Sequence, residues 1–311
     1  RVTDDGMTVD ELVRNSDAAM YRAKQKGKNS YHFYTRDLTT AAHESLRLES
    51  SLRLALDRGE FVLHYQPKWN TQTGAITGVE ALLRWQHPER GLIGPGAFLN
   101  TLEDCGLILP VGRWILRTAC RQAQAWQAQG LPAIQMSINL SGRQIVEGSL
   151  LQTVAEALAE SGLDPRCLEL ELTEGYIMHQ PDEAIVLLNS LREMGVGIAI
   201  DDFGTGHSSL SYLKQLPIQK LKIDRSFVHD IPTDPDDMAI TSAIVALGHR
   251  LQMTIVAEGV ETEEQLSFLI NEGCEEAQGY LFSMPLPAEE LSACLRSGFY
   301  APTLPSQKAN A

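Results

Sequence analysis

Short apolar runs recur along this chain, and from residue 61 onward most of them alternate with stretches that carry apolar positions at helical spacing. The runs are FVLHYQP (61–67), GVEALLRW (78–85), IQMSINLS (134–141), LELELTE (168–174), GIAIDDF (197–203), IQKLKID (218–224), TIVAEGV (254–260) and a weaker AQGYLFS (277–283). The helical stretches are 111–129, 149–161, 181–195, 236–250 and 261–272. Eight strands alternating with helices predict an α/β fold, a TIM-like (β/α)8 barrel. The link between the first two runs, Asn70 to Thr77, is too short for a crossover helix. The first strand is therefore expected to run antiparallel. Upstream, Thr8 and Glu11 form a capping-box pattern, and Leu12, Val13, Met20 and Ala23 make an apolar stripe that ends at Gly27. That predicts a helix over 8–27, followed by a short strand at 31–34 and a charged amphipathic helix over 41–58 that joins two units.

Polar residues interrupt the apolar runs at telling places. Glu80, Asn139, Glu171, Asp201, Asp202, Lys222 and Glu258 lie within or at the end of six different runs. In a barrel of this kind the C-terminal strand ends build the active site, so these groups are expected to converge on one mouth. Adjacent acids such as Asp201 and Asp202 at the tip of a buried strand are costly unless a cation neutralises them, and oxygen ligands favour a hard divalent ion. In a strictly extended strand the two would point to opposite sides, so both reach one ion only if the strand end bends. Arg84 shares a strand face with Glu80 and Leu82 and offers a fork of donors suited to phosphate oxygens.

The bulk numbers narrow the picture. The chain has 311 residues, 43% of them apolar, and a net charge of −14. Such a surface repels nucleic-acid polymers and anionic membranes, so a phosphate-bearing ligand needs local help from metal or Arg/Lys. The five cysteines form no CxxC pair and read as reduced thiols. The eight histidines show no HExxH or HD pairing and build no metal site of their own. No apolar run is long enough to span a bilayer, so no direct membrane contact is expected of this segment, and its reduced thiols place it, by expectation, in the cytoplasm. The chain opens on Arg1 and is expected to be a fragment, with an upstream membrane-anchored sensor left open.

The segments GVEALLRWQHPERGLIGPGAF, SINLS, ELTE, DDFGTGHSSLSYLKQLPIQKLKIDRSFV, AEGVETEEQ and AQGYLFSMPLP occur in this order and resemble the EAL domain of cyclic di-GMP phosphodiesterases, over residues 41–311. Residues 1–35, with NSDAAMYRAKQKGKNSYHFY, are similar to the last helix and strand of a GGDEF (diguanylate cyclase) domain, without the GGDEF signature itself. The expected division is a GGDEF remnant plus linker over 1–40 and an EAL domain over 41–311. The resemblance implies hydrolysis of cyclic di-GMP to linear pGpG with two Mg²⁺ or Mn²⁺ ions. That reaction lowers a second messenger that controls motility and biofilm formation.

The resemblance also implies roles. Glu80, Asn139, Glu171, Asp201, Asp202 and Glu258 match metal ligands, and Glu258 is a ligand or a general base. Lys222 would orient a water and stabilise charge. Arg84, Gln66 and Gln278 match substrate or water contacts, and Glu174 the glutamate that steadies the loop after DDFG. Glu261 is expected to serve a helix N-terminus. His207 stands where the family usually has Tyr, and Gly175 where it usually has Ser or a similar residue. A homodimer through the helices near 208–215 and 236–250 is implied as well. A catalytically silent cyclic di-GMP receptor is the alternative, although such relatives lack part of the ligand set that this chain keeps. A class I aldolase using Lys222 as a Schiff-base nucleophile needs a lowered lysine pKa, which the neighbouring acids oppose.

Overall fold

The computed structural model describes Met20 and residues 36–177, 181–206 and 210–297. The strands are β1 (Phe61–Asn70), β2 (Ile76–His87), β3 (Gly91–Ile93), β4 (Gln135–Leu140), β5 (Leu168–Thr173), β6 (Gly197–Phe203), β7 (Lys220–Ile223), β8 (Thr254–Ala257) and β9 (Glu276–Ala277). From β2 the order runs through β4, β5, β6, β7, β8 and β9 to β1, and a further β1–β2 pairing closes the ring. The pairs from β2–β4 to β8–β9 are parallel, whereas β1 is antiparallel to β9. This is the expected (β/α)8 barrel with its first strand reversed.

The described residues form two compact units: those up to Phe61 with Trp85–Leu107, and Val62–Arg84 with those from Ile108 onward. The first holds the helix Arg36–Asp57, β3 paired antiparallel to residues 85–87, and the helix Leu99–Asp104. Phe61, Trp85 and Phe98 pack with ring centroids 5.7–6.4 Å apart, and Trp85 Nε1 donates to Glu60 Oε2 at 3.0 Å.

In the second unit the strands alternate with the helices Ile108–Ala128, Leu150–Ser161, Pro181–Glu193, Pro235–Arg250 and Glu263–Glu272, each within a few residues of its expected range. Successive strand residues face opposite sides. Leu168, Leu170, Leu172, Leu221 and Ile223 are buried and alternate with charged residues that point into the barrel. The apolar core thus lies between the sheet and its helices. Trp126 stacks edge-on against Tyr65 of β1 and donates to Ser292 Oγ at 2.8 Å, fixing the helix Ala288–Ser297 beneath it.

Two expectations are adjusted. The run expected at 277–283 is a strand only over Glu276–Ala277. Gln278 N–H still donates to Ala257 O, but Gly279 then presses so close to Val260 that a Cβ there would lie 2.1 Å from its carbonyl oxygen, and the chain turns away. The helix expected from 261 begins at Glu263, because Thr262 caps it: its hydroxyl accepts from Gln265 N–H and the Gln265 side chain accepts from Thr262 N–H. The expected helix 8–27 (apart from Met20), the strand 31–34, His207 and residues 208–209 lie outside the described residues.

Candidate active site

The barrel interior is filled by charge in two layers. On β4, β5 and β7 the inward residues come in pairs two positions apart: Ser137 and Asn139, Glu169 and Glu171, Lys220 and Lys222. In the lower layer Lys220 Nζ lies 2.8 Å from Glu276 Oε2 and 3.6 Å from Glu169 Oε2. Lys68 of β1 meets Glu169 Oε1 at 3.0 Å and Ser137 Oγ at 2.7 Å. Two lysines therefore balance two glutamates there. Burial opposes the charge on Glu169, but Lys68 and Lys220 outweigh it and hold the carboxyl below its ordinary pKa.

The upper layer is not balanced. Lys222, fully buried, donates to Glu171 Oε2 at 2.5 Å and lies 2.6 Å from Glu258 Oε1, 2.9 Å from Asp201 Oδ1 and 3.7 Å from Glu80 Oε2. Burial alone would lower the lysine pKa, but these four carboxylates raise it well above the ordinary value. The amine stays protonated, which removes the lone pair that Schiff-base chemistry needs. Asp202 adds a fifth carboxylate, and although Lys68 reaches up to Glu171, the seven carboxylates of the two layers face three lysines, an excess of four negative charges if all ionise. The strain is visible in their proton affinities. Glu258 is pushed up to about 8 by burial, with Asp201, Glu80 and Glu171 adding repulsion against the pull of Lys222. Asp202 is pushed up to about 6 by burial, by Asp201 and by a hydrogen bond with Asp224. Burial also raises Glu80, whereas Glu171, despite burial, is held down at about 2 by Lys222 and Lys68.

The bend required of β6 is present. Asp202 has φ of +52°, in the left-handed region that Asp tolerates better than most residues, and the pairing of β6 with β7 slips between Ile200 and Phe203. As a result, oxygens of Asp201, Asp202 and Glu258 lie within 4.8 Å of one another, close enough to share a cation. Asn139 Nδ2 donates to Glu80 Oε1 at 2.5 Å and Gln278 Nε2 to Glu80 Oε2 at 2.7 Å. Gln278 Nε2 also donates to Gln66 Oε1 at 3.0 Å, so both amides join the carboxylate set. Ser141 serves the next helix: its N–H donates to Gln144 Oε1.

Part of this set opens onto a cavity of about 250 Å³, lined by Gln66, Glu80, Asp201, Glu258, Gln278 and Tyr280 among others. Two larger surface grooves, of about 870 and 530 Å³, hold none of them. Arg84 is half-buried and donates to Leu83 O; burial lowers its pKa, against the pull of the Glu80 carboxylate. Glu261 also lines the cavity, and its N–H donates to Gln265 Oε1. Glu174 is buried and accepts the Gly204 N–H at 3.1 Å. Gly206 packs against the same carboxylate, where a Cβ would lie 2.7 Å from Oε1. Sequence reasoning missed Lys68, Ser137, Glu169, Lys220 and Glu276. The alternation in LELEL and KLK was the available signal, since a charge at every second strand position marks one polar face.

A family model described as EAL domain matches residues 49–285. The chain is 50% identical over 289 residues to the bifunctional diguanylate cyclase/cyclic di-GMP phosphodiesterase MucR of Pseudomonas aeruginosa, covering 93% of this chain and 42% of that protein. It is 43% identical over 293 residues to the cyclic di-GMP phosphodiesterase NbdA of the same organism, covering 94% of this chain and 37% of that protein. The chain thus spans less than half the length of these two curated relatives. The solved structure "PaMucR Phosphodiesterase, c-di-GMP complex" superposes with a TM-score of 0.77 at 51% identity, covering 79% of this chain and 99% of that one.

Proposed function

As the chain belongs to the EAL-domain family, we propose that it hydrolyses cyclic di-GMP to linear pGpG with the help of two divalent cations, Mg²⁺ or Mn²⁺. The observation that carries this reading is the upper layer of the barrel, where five carboxylates crowd around Lys222 and only Glu171 has a second lysine, Lys68, beside it. Two divalent ions would cancel the four excess charges, and an all-oxygen donor set suits hard cations. The residues that would hold them are Glu80, Asn139, Glu171, Asp201, Asp202 and Glu258. When bound, such ions supply a more acidic water and polarise the phosphodiester oxygens.

The chain's own groups account for the rest. Lys222 gathers Glu171, Asp201 and Glu258 around one protonated amine, keeping the donors converged. Glu258, with its raised proton affinity, is placed to accept a proton near neutral pH, and Asp202 beside it can share that task. Arg84 at the rim offers donors to a phosphate, while Gln66 and Gln278 present amides to the nucleotide. Glu174 holds the Gly204 loop that carries Asp202 into the site.

The same reading takes residues 1–40 as the tail of a GGDEF domain plus linker, the segment as cytoplasmic, and its output as lower second-messenger levels in motility and biofilm control. A homodimer through the helices near 208–215 and 236–250 belongs to it, and a concentration-independent monomer mass in sedimentation would remove that part. Among the described residues no helix is long and apolar enough to cross a membrane.

The test is chromatography of cyclic di-GMP incubated with the purified chain and Mg²⁺, Mn²⁺ or EDTA. Metal-dependent pGpG is expected. Binding without product would instead make the chain a receptor.

A further inference from the structure

Lys68 is fully buried on β1, the strand that enters the barrel from the opposite direction to the other seven, and it lies outside the set of residues that line the cavity. Its three N–H groups meet three acceptors: Ser137 Oγ at 2.7 Å, Glu169 Oε1 at 3.0 Å and Glu171 Oε1 at 2.5 Å. The first two belong to the neutral lower layer and the third to the crowded upper one, so Lys68 ties the two together. Glu171 therefore has an ammonium on each oxygen, Lys68 on Oε1 and Lys222 on Oε2. The carboxylate cannot rotate without breaking one of these buried pairs. Each oxygen still keeps a second lone pair for another partner.

We propose that Lys68 is a positioning residue for Glu171, and that by locking this carboxylate it sets how tightly the upper layer takes up divalent cations. The inference rests on reading Glu171 as a metal ligand. Charge by itself predicts the opposite sign. Removing a lysine next to a cation site relieves repulsion and should tighten metal binding. Loss of a fixed ligand orientation should weaken it, because groups that orient metal ligands are worth roughly 10- to 100-fold in affinity or activity.

Mn²⁺ titration calorimetry on the metal-stripped full chain separates the two. For Lys68→Met the Mn²⁺ Kd should rise about tenfold or more, and kcat should fall with KM for cyclic di-GMP little changed. A second variant, Lys68→Met with Glu169→Gln, removes one charge of each sign and keeps the lower layer neutral. It should recover the stability lost in the single variant but not the Mn²⁺ affinity, which separates orientation from folding. Should the single variant be unfolded, the double variant decides. Mn²⁺ binding as tight as wild type, or tighter, in the folded variant overturns the inference. A wild-type chain that takes up no Mn²⁺ brings down the reading of Glu171 itself, and the inference with it.

Discussion

Glu80 is held from both sides by neutral amides, Asn139 on Oε1 and Gln278 on Oε2, while Lys222 stands 3.7 Å away. Few of its bonds secure the fold, and its negative charge adds to repulsion in the upper layer. Glu80→Ala is therefore expected to leave melting in EDTA unchanged or slightly raised, while cutting turnover by at least about 100-fold as a donor is lost. Near wild-type turnover in the chromatographic assay would remove Glu80 from the proposed ligand set. Glu80 stands out in the sequence as a charge bracketed by Val79 and Ala81-Leu82-Leu83. Lys68 does not. In YQPKWN it reads as an ordinary surface lysine, and its burial is decided by Glu169 and Glu171, which are 101 and 103 residues away along the chain.

At the scale of elements, the alternation of strand-like and helix-like stretches located the barrel strands well because side-chain period follows backbone geometry. β6 was expected over 197–203 and spans Gly197–Phe203. Where an element ends was harder to read, since that depends on what the next segment meets. AQGYLFS leaves the sheet after Ala277 because Gly279 runs against the Val260 backbone. Gly279→Ala should consequently destabilise the fold by about 1–3 kcal/mol or more, as overpacking against a backbone does. Urea denaturation of this variant checks the figure, and an unchanged midpoint would show that the turn can relax. The bend at Asp202 is a similar case. Two adjacent aspartates announce a need for a bend, but the positive φ and the slipped register that provide it come from the pairing of β6 with β7.

For the whole molecule, charge in the barrel couples the site to stability. A carboxyl whose folded pKa lies above its unfolded value favours the fold at low pH, and this contribution is lost as pH rises through the folded pKa. For Asp202 that window runs from 3.8 to about 6, and for Glu258 from 4.5 to about 8. In EDTA the unfolding free energy should therefore decline from about pH 5 to pH 8. Saturating Mn²⁺ should flatten the decline and raise the melting temperature, since a ligand bound only by the native state adds about 2.7 kcal/mol at 100 times its Kd. Stability that is flat with pH in EDTA, measured by thermal melts across that range, would contradict the crowding of charges in the upper layer. The sequence by itself determined the (β/α)8 plan, the reversed first strand, and the convergence of Glu80, Asn139, Glu171, Asp201, Asp202, Lys222 and Glu258, because strand periodicity and loop length are local and barrel topology carries strand ends to one mouth. Only the tertiary structure decided that a second, neutral ionic layer lies beneath them and that Lys68 joins the two. Closing the ring sets β1 against strands far along the chain, and a charge becomes a core residue only when its counter-charge arrives from across the barrel.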